Sequence, residues 1–181
     1  TGQYQDATGS SGCVACSAGR YGSGSLQSQE SVAHCVACET GKFQSTASMT
    51  YCDACVAGQH QPTAGLGSCE SCPAGTYSGA SATDCKQCEG GKFAVSAAQS
   101  QCQVCPMGKH SELALGATRC MNCTAGRFSL GGSAQCQACA SGRFEAHHSS
   151  STCTDCARGS YQPDSESHSC GQCEAGKTQS A

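Results

Sequence analysis

Large apolar residues are scattered along this chain with neither the three-to-four-residue spacing of a helix face nor the alternation of a half-buried strand. What recurs is a single ring. Tyr21, Phe43, His60, Tyr77, Phe93, His110, Phe128, Phe144 and Tyr161 each stand two residues after a glycine, from Gly19, Gly41 and Gly58 through to Gly159. A tenth glycine, Gly176, has Thr178 at the ring position. The stretches between are rich in Ser, Ala, Thr and Gln. This pattern predicts almost no helix and, because β-branched runs are missing, only two-residue ladders inside short loops.

Each glycine follows a Cys-x-x-Cys pair by three residues. The pairs are Cys13/Cys16, Cys35/Cys38, Cys52/Cys55, Cys69/Cys72, Cys85/Cys88, Cys102/Cys105, Cys120/Cys123, Cys136/Cys139, Cys153/Cys156 and Cys170/Cys173, which use all 20 cysteines. Successive first cysteines lie 16 to 18 residues apart, except for 22 between Cys13 and Cys35. The chain therefore reads as one tandem array over residues 1–181, with repeats beginning near each first cysteine. Gly2 and Tyr4 occupy the glycine and ring places ahead of Cys13, so the array is expected to be a fragment of a longer one. The glycine suits a backbone with positive φ, or a place where a side chain would strike the neighbouring disulfide. The ring, as the one large apolar group of each unit, is expected to lie on a disulfide or on the next repeat.

Composition explains why cysteine is needed. There is no Trp or Ile; leucine is confined to Leu26, Leu66, Leu113, Leu115 and Leu130, and phenylalanine to Phe43, Phe93, Phe128 and Phe144. Leu, Ile, Val and Phe together fall below the roughly 20% under which a chain is expected to stay disordered. The 38% hydrophobic content is largely Cys and Ala, which bury little area. Cross-linking replaces a core in such chains and implies an oxidising compartment. A net charge of -3 without like-charge runs gives no nucleic-acid footprint, and no apolar stretch approaches membrane-spanning length.

Ten similar units should follow one bonding rule. Bonds inside each pair would resemble redox sites and cross-link nothing over distance. Bonds coupling pairs two by two, first cysteine to third and second to fourth, would make double units, for which no odd-even alternation speaks. The third rule joins the second cysteine of one pair to the first of the next and ranks first. It gives Cys16–Cys35, Cys38–Cys52, Cys55–Cys69, Cys72–Cys85, Cys88–Cys102, Cys105–Cys120, Cys123–Cys136, Cys139–Cys153 and Cys156–Cys170, leaving Cys13 and Cys173 to partners elsewhere. Each bridge would close a loop of about 15 residues, stabilising by roughly 3 kcal/mol in the loop-entropy model. With Cys-x-x-Cys spacers advancing at most about 10 to 13 Å per unit, the expected fold is small disulfide-rich repeats, an elongated rod of tandem loops of about 17 residues.

Segments such as Cys72-Pro-Ala-Gly-Thr-Tyr77 followed by Cys85 resemble the ephrin-receptor-like cysteine-rich repeat and the first sub-module of tumour necrosis factor receptor domains. The resemblance implies an extracellular, elongated, non-catalytic scaffold. It also implies a bridge from the cysteine before the glycine to the next one downstream, in support of the third rule. His60 and His110 in place of an aromatic ring, and proline kept only at Pro73 and Pro106, depart from the pattern, and the alternating second sub-module of the receptor domains is absent.

Other chemistry finds less support. The pairs could be read as four-cysteine zinc sites, but that needs five separate sites and reducing conditions. The His147-His148 doublet reads as an exposed polar loop rather than a metal site, and no histidine has a nucleophile or carboxylate at motif spacing. No cofactor is implied. Asn122-Cys123-Thr124 is a formal N-glycosylation sequon containing the only asparagine. The functional expectation is an extracellular or cell-surface structural protein, a stalk, coat or filament component, self-associating or bonded to neighbouring repeats of a longer chain. The alternative is a receptor or adhesion ectodomain with a protein ligand, whose best candidate patch is the long first loop with Leu26, Glu30 and His34.

Overall fold

The computed structural model describes residues 2–4, 12–23 and 35–177. They form two compact units, one of Thr1–Lys86 with Ser96–Gln101 and the other of Gln87–Val95 with Cys102–Ala181. Among the described residues there is no helix, and strands of two or three residues pair in two-stranded sheets. Nine serial disulfides run along the chain: Cys16–Cys35, Cys38–Cys52, Cys55–Cys69, Cys72–Cys85, Cys88–Cys102, Cys105–Cys120, Cys123–Cys136, Cys139–Cys153 and Cys156–Cys170. Their Cα–Cα distances, 5.4 to 5.8 Å, are those an unforced bridge needs. Cys13 and Cys173 are unbonded.

Each loop begins with a tight turn. After Cys38, the Lys42 N–H donates to the Glu39 carbonyl at 3.1 Å, and Gly41 between them has φ 76°. That is a type II turn, whose third residue must have positive φ and is therefore glycine. The turn launches Lys42–Phe43, which pairs antiparallel with Asp53–Ala54, the two residues inside the next cysteine pair. Lys92–Phe93 pairs with Gln103–Val104 in the same way. The spacer of each Cys-x-x-Cys is thus the closing strand of the preceding hairpin, and the bridge staples that hairpin shut.

Within each unit, most adjacent loops are joined by three backbone hydrogen bonds at fixed places. Between the Cys55–Cys69 and Cys72–Cys85 loops they are Gly58 N–H to Ser78 O (2.9 Å), Gln61 N–H to Ala82 O (3.0 Å) and Ser81 N–H to Cys55 O (2.8 Å). In the second unit the same set joins the Cys123–Cys136 and Cys139–Cys153 loops: Gly126 to Glu145 O (2.8 Å), Ser129 to Ser150 O (3.1 Å) and Ser149 to Cys123 O (2.9 Å).

The turn glycine also meets the loop after next. A Cβ built on Gly108 would lie 1.8 Å from the Ser149 carbonyl oxygen, and one on Gly41 would lie 2.3 Å from that of Ser81. The glycine is required for both positive φ and closeness, but the obstacle is a backbone carbonyl two loops on, not the neighbouring disulfide. Arrangement of the loops therefore goes beyond a simple string, since each touches its second neighbour.

The centre of each loop is sulfur, not ring. Cys38, Cys55, Cys72, Cys88, Cys105 and Cys139 are fully buried, while Phe43, Tyr77, Phe93, Phe128 and Phe144 are half-buried and Tyr161 is 49% exposed. The residue after the ring goes deeper than the ring does: Gln44, Gln61, Ser78, Ala94, Ser111 and Ser129 are each at most 2% exposed.

Candidate functional site

The buried residue after the ring is polar in most loops, and its hydrogen bonds show what it does. Gln44 Oε1 accepts from Thr46 N–H at 3.0 Å, and its Nε2 donates to the Tyr51 carbonyl at 2.9 Å, pinning the two limbs of its own loop. Gln61 makes the corresponding bonds with Thr63 and Ser68. The shorter Ser78 reaches back instead, its hydroxyl donating to the Gln59 carbonyl of the preceding loop at 2.9 Å, as Ser129 does to Lys109 at 2.7 Å. No buried side-chain nitrogen or oxygen among the described residues lacks a partner. A large polar side chain inside a loop with almost no apolar filling is tolerated because every polar atom is satisfied. Sequence reasoning missed these residues. The signal was a Gln or Ser directly after most rings.

Two ring positions differ in chemistry. His60 Nδ1 lies 3.2 Å from Cys85 Sγ, and His110 Nδ1 lies 3.2 Å from Cys136 Sγ. Each imidazole thus sits on the bridge of the next loop, the place expected for a ring. Local strands position them: Gln59–His60 pairs with Glu70–Ser71, and Lys109–Ser111 pairs with Cys120–Asn122. His60 further bridges to Ala82, and His110 to Ser133, each in the loop that carries the bridge. The sets His60, Cys72, Cys85 and His110, Cys123, Cys136 gather their ligand-type atoms within 4.8 Å. With both sulfurs spent on one another they offer no thiolate, so as bonded they are not metal sites.

A cleft of about 210 Å³ opens beside the second imidazole, lined by His110, Asn122, Thr124, Arg127, Gln135 and Cys136. Arg127 is fixed across it, with Nη1 donating to the Cys136 carbonyl at 3.2 Å and Nε 3.2 Å from Glu166 Oε2. Asn122 is exposed at the rim, while Cys123, the middle residue of its sequon, is 1% exposed and bonded to Cys136. His147, His148 and His168 are exposed and are not brought together with other metal-ligating residues. Leu26, Glu30 and His34, the candidate patch of the first loop, lie outside the described residues. No described helix is long and apolar enough to cross a membrane.

Serial disulfides, helix-free loops and two-stranded ladders define a small disulfide-rich repeat of the extracellular type. Two segments, residues 75–118 and 144–181, match the family described as tyrosine-protein kinase ephrin type A/B receptor-like. There the chain is similar to a receptor-like cysteine-rich domain, not to an enzyme family, and the resemblance read from the cysteine, glycine and ring spacing holds. No curated protein matches the chain.

Proposed function

We propose that this chain is an extracellular structural repeat protein, part of a stalk, surface coat or filament, in which serial disulfides stiffen one tandem array. The observation that carries this reading is the recurrence of the same three backbone hydrogen bonds between adjacent loops in both units. Contacts made by backbone do not depend on side-chain identity, so loop surfaces can vary while the stacking persists, as in repeat proteins built from nearest-neighbour contacts. The cleft beside His110 is small for a substrate site. The protein is read as non-catalytic, with neighbouring repeats or a second copy as its main partner and an N-glycan at Asn122.

A second reading, an ectodomain that binds a protein ligand, is favoured by the receptor-like match over residues 75–118 and 144–181. Negative-stain imaging of the secreted protein, combined with non-reducing peptide mapping, separates the two. Regular fibres or end-to-end assemblies carrying the serial bridges support the structural role. A discrete monomer that captures one soluble protein partner in stoichiometric amount replaces it with the ligand-binding role.

A further inference from the structure

We propose that the Cys123–Cys136 bridge is a thiol-exchange site, at which a small anionic thiolate entering the cleft attacks Cys136 Sγ. Burial selects the sulfur. Cys123 is 1% exposed, whereas Cys136 is half-buried and lines the cleft, so an incoming thiolate reaches Cys136 first.

The chemistry beside that sulfur distinguishes it from its neighbours. His110 Nδ1 stands 3.2 Å from Cys136 Sγ. The twin site shows which nitrogen carries the proton: His60 Nδ1 lies 3.1 Å from the Glu70 carbonyl oxygen and 3.2 Å from Cys85 Sγ. A carbonyl oxygen only accepts, so Nδ1 of His60 bears the hydrogen, shared between that carbonyl and the sulfur; the same tautomer at His110 turns an N–H toward Cys136 Sγ. Displacement at a disulfide concentrates negative charge on the entering and leaving sulfurs; an N–H at the attacked sulfur makes it more electrophilic and, within 4.8 Å of Cys123 Sγ, steadies the charge on the leaving one. Phe43, Phe93, Phe128 and Phe144, which fill the same repeat position elsewhere, have no N–H to give. Arg127 brings a guanidinium to the cleft wall, its charge partly offset by the paired Glu166 carboxylate, and is tethered to the carbonyl of the attacked cysteine. A carboxylate-bearing monothiol is the chemical class that this combination fits.

The step balances without a further reagent. The thiolate R–S⁻ bonds to Cys136 Sγ as the Cys123–Cys136 bond breaks, and Cys123 leaves as the thiolate. Cys123 can reverse the step by attacking the mixed disulfide. Alternatively a second R–S⁻ removes the first group as R–S–S–R, and both cysteines are left reduced.

The test is limited reduction of the intact chain by a carboxylate-bearing monothiol, held below one opened bridge per chain. Opened cysteines are alkylated with one reagent, the rest with an isotopic partner after full reduction, and peptides are mapped bridge by bridge. Cys123–Cys136 is expected to open about tenfold or more faster than Cys38–Cys52 and Cys139–Cys153, the gain of one charge-stabilising hydrogen bond. His110→Phe, which installs the ring found in four other repeats, should bring it to their rate and leave Cys72–Cys85 unchanged. Arg127→Gln should slow the anionic thiol but not a neutral one. Equal opening of all bridges overturns the proposal, as does a wild-type or faster rate in His110→Phe. Arg127→Gln slowing both thiols alike, or neither, removes the anionic-thiol assignment.

Discussion

Gly108 and Gly142 occupy the same turn position with nearly the same backbone, φ 76° and 78°, but differ in what surrounds them. A Cβ on Gly142 meets nothing within 4 Å, whereas one on Gly108 falls 1.8 Å from the Ser149 carbonyl oxygen. Gly142→Ala should therefore incur only the left-handed backbone penalty, about 1–2 kcal/mol. Gly108→Ala carries that penalty and a collision as well. Ordinary contact begins near 3.4 Å, so the carbonyl must retreat by 3.4 minus 1.8, or 1.6 Å. Ser149 is anchored by its N–H to the Cys123 carbonyl at 2.9 Å, and a shift of that size breaks this bond at a further cost of about 1 kcal/mol. The total is about 2–3 kcal/mol, a loss of roughly 30- to 150-fold in local opening equilibrium. Native-state amide hydrogen exchange reads it directly. Protection of Ser149 and Gly132 should fall by that factor in Gly108→Ala, and protection of Cys156 should fall only about tenfold in Gly142→Ala. Equal losses in the two variants would refute the claim that close approach between second neighbours helps hold the array.

Ala98 has φ 61° at a loop position where three other loops have glycine, Gly65, Gly116 and Gly132, so Ala98→Gly should stabilise its loop by about 0.5–1 kcal/mol in the same exchange assay. Gln61→Ala should destabilise its loop by about 1–3 kcal/mol through the unpaired Thr63 N–H and Ser68 carbonyl, whereas Gln162→Ala, at a half-exposed site, should cost less. Alkylation without reductant should add no more than two labels per chain, at Cys13 and Cys173, and labels at any other cysteine would contradict the serial bridges. Glycosidase treatment of protein secreted from a eukaryotic host should lower its mass by one N-glycan, a shift absent from Asn122→Gln.

The disulfide-rich repeat class, the lack of helix and the two-residue ladders were legible in the linear chain because they follow from local constraints. A glycine at a fixed offset from cysteine marks a backbone position of positive φ or close approach, and the structure makes it the third residue of a type II turn. A sequence with so few large apolar residues has only cross-links to hold it, and the uniformity of the pairs, with the resemblance to the ephrin-receptor-like repeat, ranks serial cross-links first. Gln44 and Gln61 were not legible as central residues, because glutamine is ordinarily a surface side chain. It goes inside here only because the loop limbs present an N–H and a carbonyl at the right separation. Nor could the sequence reveal the position shared by Ser48, Gly65, Ser81, Ala98, Gly116, Gly132, Ser149 and Glu166. Only three of these are glycine, yet all have positive φ, and in most cases where the packing is described the turn glycine two loops earlier lies against their backbone.

By itself, then, the sequence determined the repeat unit, its turn and its means of cross-linking, since each depends on residues a few positions apart. The tertiary structure alone decided which loops touch, which polar groups are buried, and that His60 and His110 face the sulfurs of the following loop. Those outcomes rest on backbone atoms, which every residue shares, and backbone-to-backbone contact leaves little trace in side-chain identity.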